Sequence, residues 1–136
     1  MIPFRLLAAL VLVPFLAAQA ASQCEEAEFI APDTAEFDLL GADVALDGDY
    51  LAVSSPHKDN QTFGDDQGCV DVFVRTPGWS YSTRLIPTDV ADIHSVGLGG
   101  MSGDTLIARS SRHSSTAQEA GRAWVFRRAG TTWSQE

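Results

Sequence analysis

Short apolar runs separated by polar turns fill the chain from residue 28 onward. In "VALDGDYLAV" (44–53), apolar residues at every second position flank an Asp-Gly turn on both sides, which is a strong signal for a β-hairpin. No 3.6-residue periodicity typical of an amphipathic helix follows the first twenty residues. The sequence therefore predicts an all-β fold.

The same pattern occurs twice, which is the most informative property of the sequence. The aligned pairs are "EFIAPDTAEFDLLG" (28–41) with "RLIPTDVADIHSVG" (84–97), "LDGDYLA" (46–52) with "MSGDTLI" (101–107), "GCVDVFVR" (68–75) with "GRAWVFRR" (121–128), and Trp79 with Trp133. Their offsets of 56, 55, 53 and 54 residues differ only by small length changes, which loops tolerate. Each unit contains four predicted strands, and four short strands per repeat are typical of one β-propeller blade.

The repeat divides the chain into four segments. Residues 28–83 form the first repeat and residues 84–136 the second, with a short N-terminal segment at 21–27. Residues 1–20 are predicted to be a secretory signal peptide, because Arg5 precedes an apolar run and Ala18-Gln19-Ala20 fits a cleavage site. The alternative is a membrane anchor, but the apolar run from Leu6 to Leu16 is shorter than the roughly 20 residues that a spanning helix needs. We therefore expect a secreted, extracellular or cell-envelope protein that is not inserted in a membrane after cleavage.

The charge of the chain excludes one class of partner. The formal net charge is -9, and it becomes -10 when Arg5 is lost with the signal peptide. Nucleic acids are polyanions that need clustered Lys and Arg, so nucleic-acid binding is not expected. Divalent cations remain as partners.

These residues resemble the FG-GAP repeat, the blade sequence of integrin-α-type β-propellers, and more closely its bacterial exported branch. The residues that fill the repeat pattern are Gly41, Val44–Leu46, Gly48, Asp49, Leu51–Val53, Pro56, Val70–Phe73 and Trp79 in the first unit, and Gly103, Asp104, Leu106, Trp124–Phe126 and Trp133 in the second. Leu40-Gly41 and Val96-Gly97 stand where the family has Phe-Gly. The glycines of "GLGGM" (97–101) weaken the first strand of the second unit. The resemblance implies two four-stranded FG-GAP-like propeller blades.

The same resemblance implies calcium as a candidate ligand, because integrin-type blades often hold it in an acidic loop. Ca²⁺ takes six to eight oxygen ligands, and a hairpin that offers Asp47 and Asp49 supplies too few. The longer loop that contains Asp59, Asp65 and Asp66 is a weak calcium candidate. No other cofactor is expected.

Two cysteines, Cys24 and Cys69, follow the predicted signal peptide. Export exposes them to an oxidising compartment, so they are a disulfide candidate, with two unpaired thiols as the alternative.

No catalytic motif is present. Ser54, Ser55 and His57 lie near Asp59, but no G-x-S-x-G elbow occurs, and "SSRHSS" (110–115) fills the equivalent loop of the second repeat. We interpret both stretches as loop composition and expect no enzymatic activity. Trp79 and Trp133 share one blade position and are predicted to pack between blades, whereas Trp124 stands opposite Asp71 in the alignment.

The sequence thus favours an exported, non-catalytic binding or adhesion module with a protein or carbohydrate ligand. The alternatives are an accessory domain of a larger secreted hydrolase and a structural envelope protein. Propellers close with about four to eight blades, so two blades make an incomplete propeller. The second repeat also ends within its last predicted strand, so we expect further blades in a longer chain or self-association.

Overall fold

The computed structural model describes residues 26–59, 66–90, 94–112 and 120–136, and these residues form two four-stranded antiparallel sheets. The strands are β1 (Val44–Asp47), β2 (Tyr50–Ser55), β3 (Cys69–Arg75), β4 (Trp79–Leu85), β5 (Gly97–Ser102), β6 (Thr105–Ser110), β7 (Arg122–Ala129) and β8 (Thr132–Gln135). Strand order follows chain order in each sheet, so each repeat is an up-and-down meander. The prediction of an all-β fold with two blade-like sheets is confirmed, and the two sheets are open and do not close a ring.

The assigned boundary between residues 83 and 84 falls inside β4, whose end is also the beginning of the next repeat. The predicted signal peptide and Cys24 lie outside the described residues. None of the described residues belongs to a helix that is long and apolar enough to span a membrane.

The Asp-Gly hairpin predicted for the first repeat is present. Asp47 pairs with Tyr50, which leaves Gly48 and Asp49 as a two-residue turn. Gly48 has a φ of 57°, and its counterpart Gly103 has a φ of 56°. A positive φ at the first turn position matches the twist of the flanking strands and is accessible to glycine at little cost.

The aspartate that follows this glycine makes the same contacts in both repeats. In the first sheet, Arg75 donates its backbone N–H to the carbonyl oxygen of Asp49 at 2.9 Å, and its guanidinium lies 3.2 Å from the same residue's carboxylate. Arg128 and Asp104 repeat both contacts in the second sheet. The turn between the first two strands is thus fastened to the end of the third strand.

Strand β5 forms despite its glycines. Leu98 pairs with Ala108 and Gly100 with Ile107, so Gly99 is left out of the ladder as a β-bulge. The glycine-rich stretch that the sequence marked as a weak strand is therefore a bent one.

The two faces of each sheet have different roles, and the register defines them. We call the side that carries Leu51 and Phe73 in the first sheet, and Leu106 and Phe126 in the second, the leading face. The trailing face is the opposite side, which carries Ala52 and the residues in register with it.

The hydrophobic core lies between the trailing face of the first sheet and the leading face of the second. Its fully buried members come from both sheets and include Ala52, Val70, Val72, Val96, Leu106 and Ala108. The packing of unlike faces is what a propeller requires, because each blade then presents a leading face to one neighbour and a trailing face to the other.

The connection between the sheets is also fixed by a close backbone approach. Gly68, just before β3, forms a parallel bridge with Val96, just before β5. A Cβ on Gly68 would lie 2.4 Å from both the backbone N and the backbone O of Val96, and the φ of Gly68 is +76°. Only glycine fits this position.

Candidate functional site

The long connections of both repeats leave from one edge of the two sheets, and the tight turns lie at the opposite edge. In an up-and-down meander, successive connections alternate between edges. The strand ends that border the connections at 56–68, 86–96 and 111–121 therefore share one edge, which we call the long-connection edge. The turns at 48–49, 76–78, 103–104 and 130–131 form the short-turn edge.

A cavity of about 190 Å³ lies near the long-connection edge, between the inner strands of the two sheets. Its lining residues are Asp43, Val44, Ala45, Leu98, Gly99, Gly100 and Arg109. The guanidinium of Arg109 lies 3.2 Å from the carboxylate of Asp43, and its Nε donates to the Leu98 carbonyl oxygen at 3.2 Å. The cavity thus presents an exposed carboxylate and an exposed guanidinium to solvent, and this arrangement suits the binding of a polar group.

Ser54, which the sequence placed beside a histidine, belongs to this region, and its hydroxyl contacts Asp43. Its buried hydroxyl accepts the backbone N–H of Asp43 at 2.9 Å and lies 3.4 Å from that residue's carbonyl and carboxylate oxygens. The His57 imidazole lies beside the Asp66 carboxylate. The described contacts assign Ser54 to the fastening of β1 and β2.

The calcium candidates are only partly described. Asp66 donates its backbone N–H to the Asp59 carboxylate at 2.9 Å, and its own carboxylate lies 3.8 Å from His57 Nδ1. Asp65 lies outside the described residues. Within the described residues, no three His, Cys, Asp or Glu side chains are grouped closely enough to hold a metal ion. Calcium binding by this loop stays a prediction.

A network of charged residues joins the segment before β1 to β4 in the first repeat. The Lys58 ammonium lies 2.9 Å from the buried Asp38 carboxylate and 3.7 Å from Asp33. Arg84 binds both carboxylate oxygens of Asp33, at 2.7 and 2.6 Å, and donates to the Asp71 carboxylate at 2.9 Å. A bidentate Arg-carboxylate pair is among the stronger polar contacts in proteins, so this network clamps the preceding segment onto the leading face of the first sheet.

The surroundings of Asp33, Cys69 and Tyr81 shift the pKa values of these three groups. Hydrogen bonds from Arg84 lower the pKa of Asp33 to about 2. Burial, with the Asp71 charge nearby, raises the pKa of the Cys69 thiol and that of the Tyr81 hydroxyl to about 12. At neutral pH the Cys69 sulfur, as a thiol, is protonated and unreactive, because the thiolate is the nucleophilic form.

The predicted disulfide concerns the same cysteine. Cys69 is fully buried at the start of β3, and its Sγ lies 3.7 Å from the Asp71 carboxylate. Its predicted partner Cys24 lies outside the described residues, so the pairing stays a prediction.

The second repeat uses the equivalent aspartate differently. Asp89, which aligns with Asp33, accepts a hydrogen bond from the Trp124 indole nitrogen at 2.7 Å and pairs with Arg122. Trp124 aligns with Asp71. The second repeat therefore joins these two positions by a direct hydrogen bond, whereas Arg84 bridges Asp33 and Asp71 in the first repeat. The recurrence of Asp33 as Asp89 in the alignment was the sequence signal for this clamp.

The aromatic residues pack at sheet faces. Trp133 contacts Tyr50 of the first sheet with ring centroids 6.2 Å apart, which agrees with the predicted packing between blades. Trp79, at the same blade position, packs instead on Phe29 at 5.3 Å. The difference arises because, in the described residues, the segment before β1 covers the β3–β4 half of the leading face of the first sheet.

One comparison identifies the repeat. Residues 24–73 match the family model of the FG-GAP repeat, so this segment of the chain is an FG-GAP repeat. The match covers β1 and β2 and most of β3, including the Gly48-Asp49 turn. No curated protein and no solved structure matches the chain. An FG-GAP repeat indicates a propeller-type binding or adhesion module, a class that is typically non-catalytic.

Proposed function

We propose that this protein is an exported, non-catalytic binding module that holds a protein or carbohydrate ligand at its long-connection edge. The FG-GAP repeat at residues 24–73 carries the proposal. Export follows from the signal peptide predicted for residues 1–20.

The side chains of the described residues support binding rather than catalysis. The polar groups of the first repeat are held in the Asp33–Arg84–Asp71 clamp, and the thiol and phenol beside it are protonated at neutral pH. The exposed Asp43–Arg109 pair lines a cavity. Loops held by a rigid β scaffold are common positions for ligand contacts.

Two similar ion pairs at opposite edges provide a matched test. Arg109–Asp43 and Arg75–Asp49 are both exposed pairs at 3.2 Å, but the first lines the cavity and the second lies at the short-turn edge. The wild-type chain is applied to arrays of glycans and of secreted proteins, and each ligand found is titrated against Arg109→Gln and Arg75→Gln.

We expect Arg109→Gln to weaken binding by about tenfold or more, and Arg75→Gln to leave it unchanged. Failure of the wild-type chain to bind any arrayed probe at micromolar concentration would overturn the proposal. An equal loss in both variants would place the site elsewhere.

A further inference from the structure

The leading face of the first sheet exposes apolar side chains that are half-buried at the same place in the second sheet. Leu46 is 64% exposed, whereas its counterpart Met101 packs against the core between the sheets. Ile30 is 59% exposed, whereas its counterpart Ile86 packs against the same core. The first sheet therefore carries a surface equivalent to the one that the second sheet buries.

This apolar surface is extensive. Five of the seven large hydrophobic side chains that are exposed among the described residues lie between residues 30 and 46. They are Ile30, Phe37, Leu39, Val44 and Leu46. Exposed large apolar side chains that are concentrated in one part of the chain indicate an interaction site.

The trailing face of the second sheet is the other uncovered face. Ile107 is 41% exposed and pairs in register with the half-buried Val125, whereas their counterparts Ala52 and Val72 are fully buried between the sheets. The chain thus has an unpaired leading face at one side and an unpaired trailing face at the other.

The sequence segments that carry the two uncovered faces have opposite formal charges. Residues 26–59 contain nine acidic residues and one lysine, a formal charge of 1 - 9 = -8. Residues 94–136 contain five arginines and three acidic residues, a formal charge of 5 - 3 = +2. Opposite formal charges on the two segments favour their association and orient it.

We propose that a second copy of this chain binds head to tail, with the trailing face of its second sheet on the leading face of the first sheet. This contact continues the packing that already joins the two sheets within the chain. A head-to-tail contact that repeats by rotation closes into a ring. Because propellers contain about four to eight blades, rings of two to four copies are expected.

Two substitutions that introduce a negative charge test the proposal with the full chain. Leu46→Glu alters only the leading face of the first sheet, and Ile107→Glu alters only the trailing face of the second. Both positions are exposed within one chain, so folding is retained, which far-UV circular dichroism and thermal melts verify. Thr131→Glu, in the β7–β8 turn, is the control.

Light scattering after gel filtration should show the wild type and the control as one discrete oligomer of two to four copies. Each interface variant alone should be monomeric, with the dissociation constant raised by about tenfold or more. An equimolar mixture of the two variants should form a 1:1 dimer, because each supplies the face that the other lacks.

Other outcomes overturn the proposal. A wild-type chain that stays monomeric at all accessible concentrations leaves these faces to other blades or other proteins. Loss of assembly in Leu46→Glu but not in Ile107→Glu indicates a symmetric contact between two leading faces. Assembly that is unaffected by either variant uses another surface.

Discussion

Replacing Leu106 by alanine should destabilise the protein far more than replacing Leu51, although the two leucines occupy the same position in the two repeats. Leu106 is 0% exposed and lies in the core between the sheets, whereas Leu51 is half-buried on the leading face of the first sheet. The comparison holds residue type and strand position constant and changes only what packs against the side chain.

The magnitudes follow from burial. Truncation of a fully buried leucine removes its transfer free energy and leaves a cavity, so Leu106→Ala should lower the free energy of unfolding by about 3–5 kcal/mol. A half-buried leucine loses roughly half of a transfer term of about 2–3 kcal/mol and leaves no enclosed cavity, so Leu51→Ala should cost about 1–1.5 kcal/mol.

Urea denaturation followed by tryptophan fluorescence measures both values, with m-values compared to confirm that the unfolding transition is unchanged. Both substitutions are made in the Ile107→Glu background, because assembly of the wild type would bury Leu51 as well and would stabilise the fold by mass action. Equal losses for the two variants, or a loss below about 1 kcal/mol for Leu106→Ala, would refute the packing of the second sheet on the first.

Three further predictions address the linker, the clamp and the acidic loop. Gly68→Ala should prevent folding or lower the urea midpoint strongly, because the new Cβ would lie 2.4 Å from Val96. Gly78→Ala is the control and should change the midpoint little, because no atom lies within 4 Å of a Cβ at that position. Similar midpoints for the two variants would contradict the close backbone approach of Gly68 and Val96. Because the pKa of Asp33 is lowered to about 2 from 3.8, its ion pair with Arg84 stabilises the fold above pH 4, and this contribution is lost as the pH falls from about 4 to 2. The stability of Asp33→Asn should therefore fall less over that range, and parallel pH profiles would contradict the clamp. If the acidic loop after β2 binds calcium, millimolar Ca²⁺ should raise the melting temperature, and no shift would remove calcium as a partner.

The sequence was sufficient for the strands and their order because these depend on local signals. The Gly-Asp turns fix the hairpins, and the offsets of 53–56 residues show that the same meander occurs twice. Even the glycine-rich β5 could be located, although its bulge at Gly99 depends on close packing against Ile107, which only the fold reveals.

The charged clamp could not be predicted, since it joins residues that are distant in the sequence. Arg84 and Asp33 are 51 residues apart, and nothing local distinguishes this arginine from the others. The recurrence of Asp33 as Asp89 marked an important position, but its partner differs in the two repeats. Similarly, the shared position of Trp79 and Trp133 predicted the face on which they lie, and not that Phe29 covers Trp79.

Two equivalent blades pack with the trailing face of the first against the leading face of the second. A double-mutant cycle between Tyr50 and Arg128 measures this packing, because the Arg128 guanidinium lies 4.0 Å from the centroid of the Tyr50 ring in the other sheet. With Tyr50→Leu and Arg128→Leu, urea denaturation should give a coupling energy of about 0.5–2 kcal/mol. Additive losses, with coupling below about 0.3 kcal/mol, would contradict the packing of the two blades.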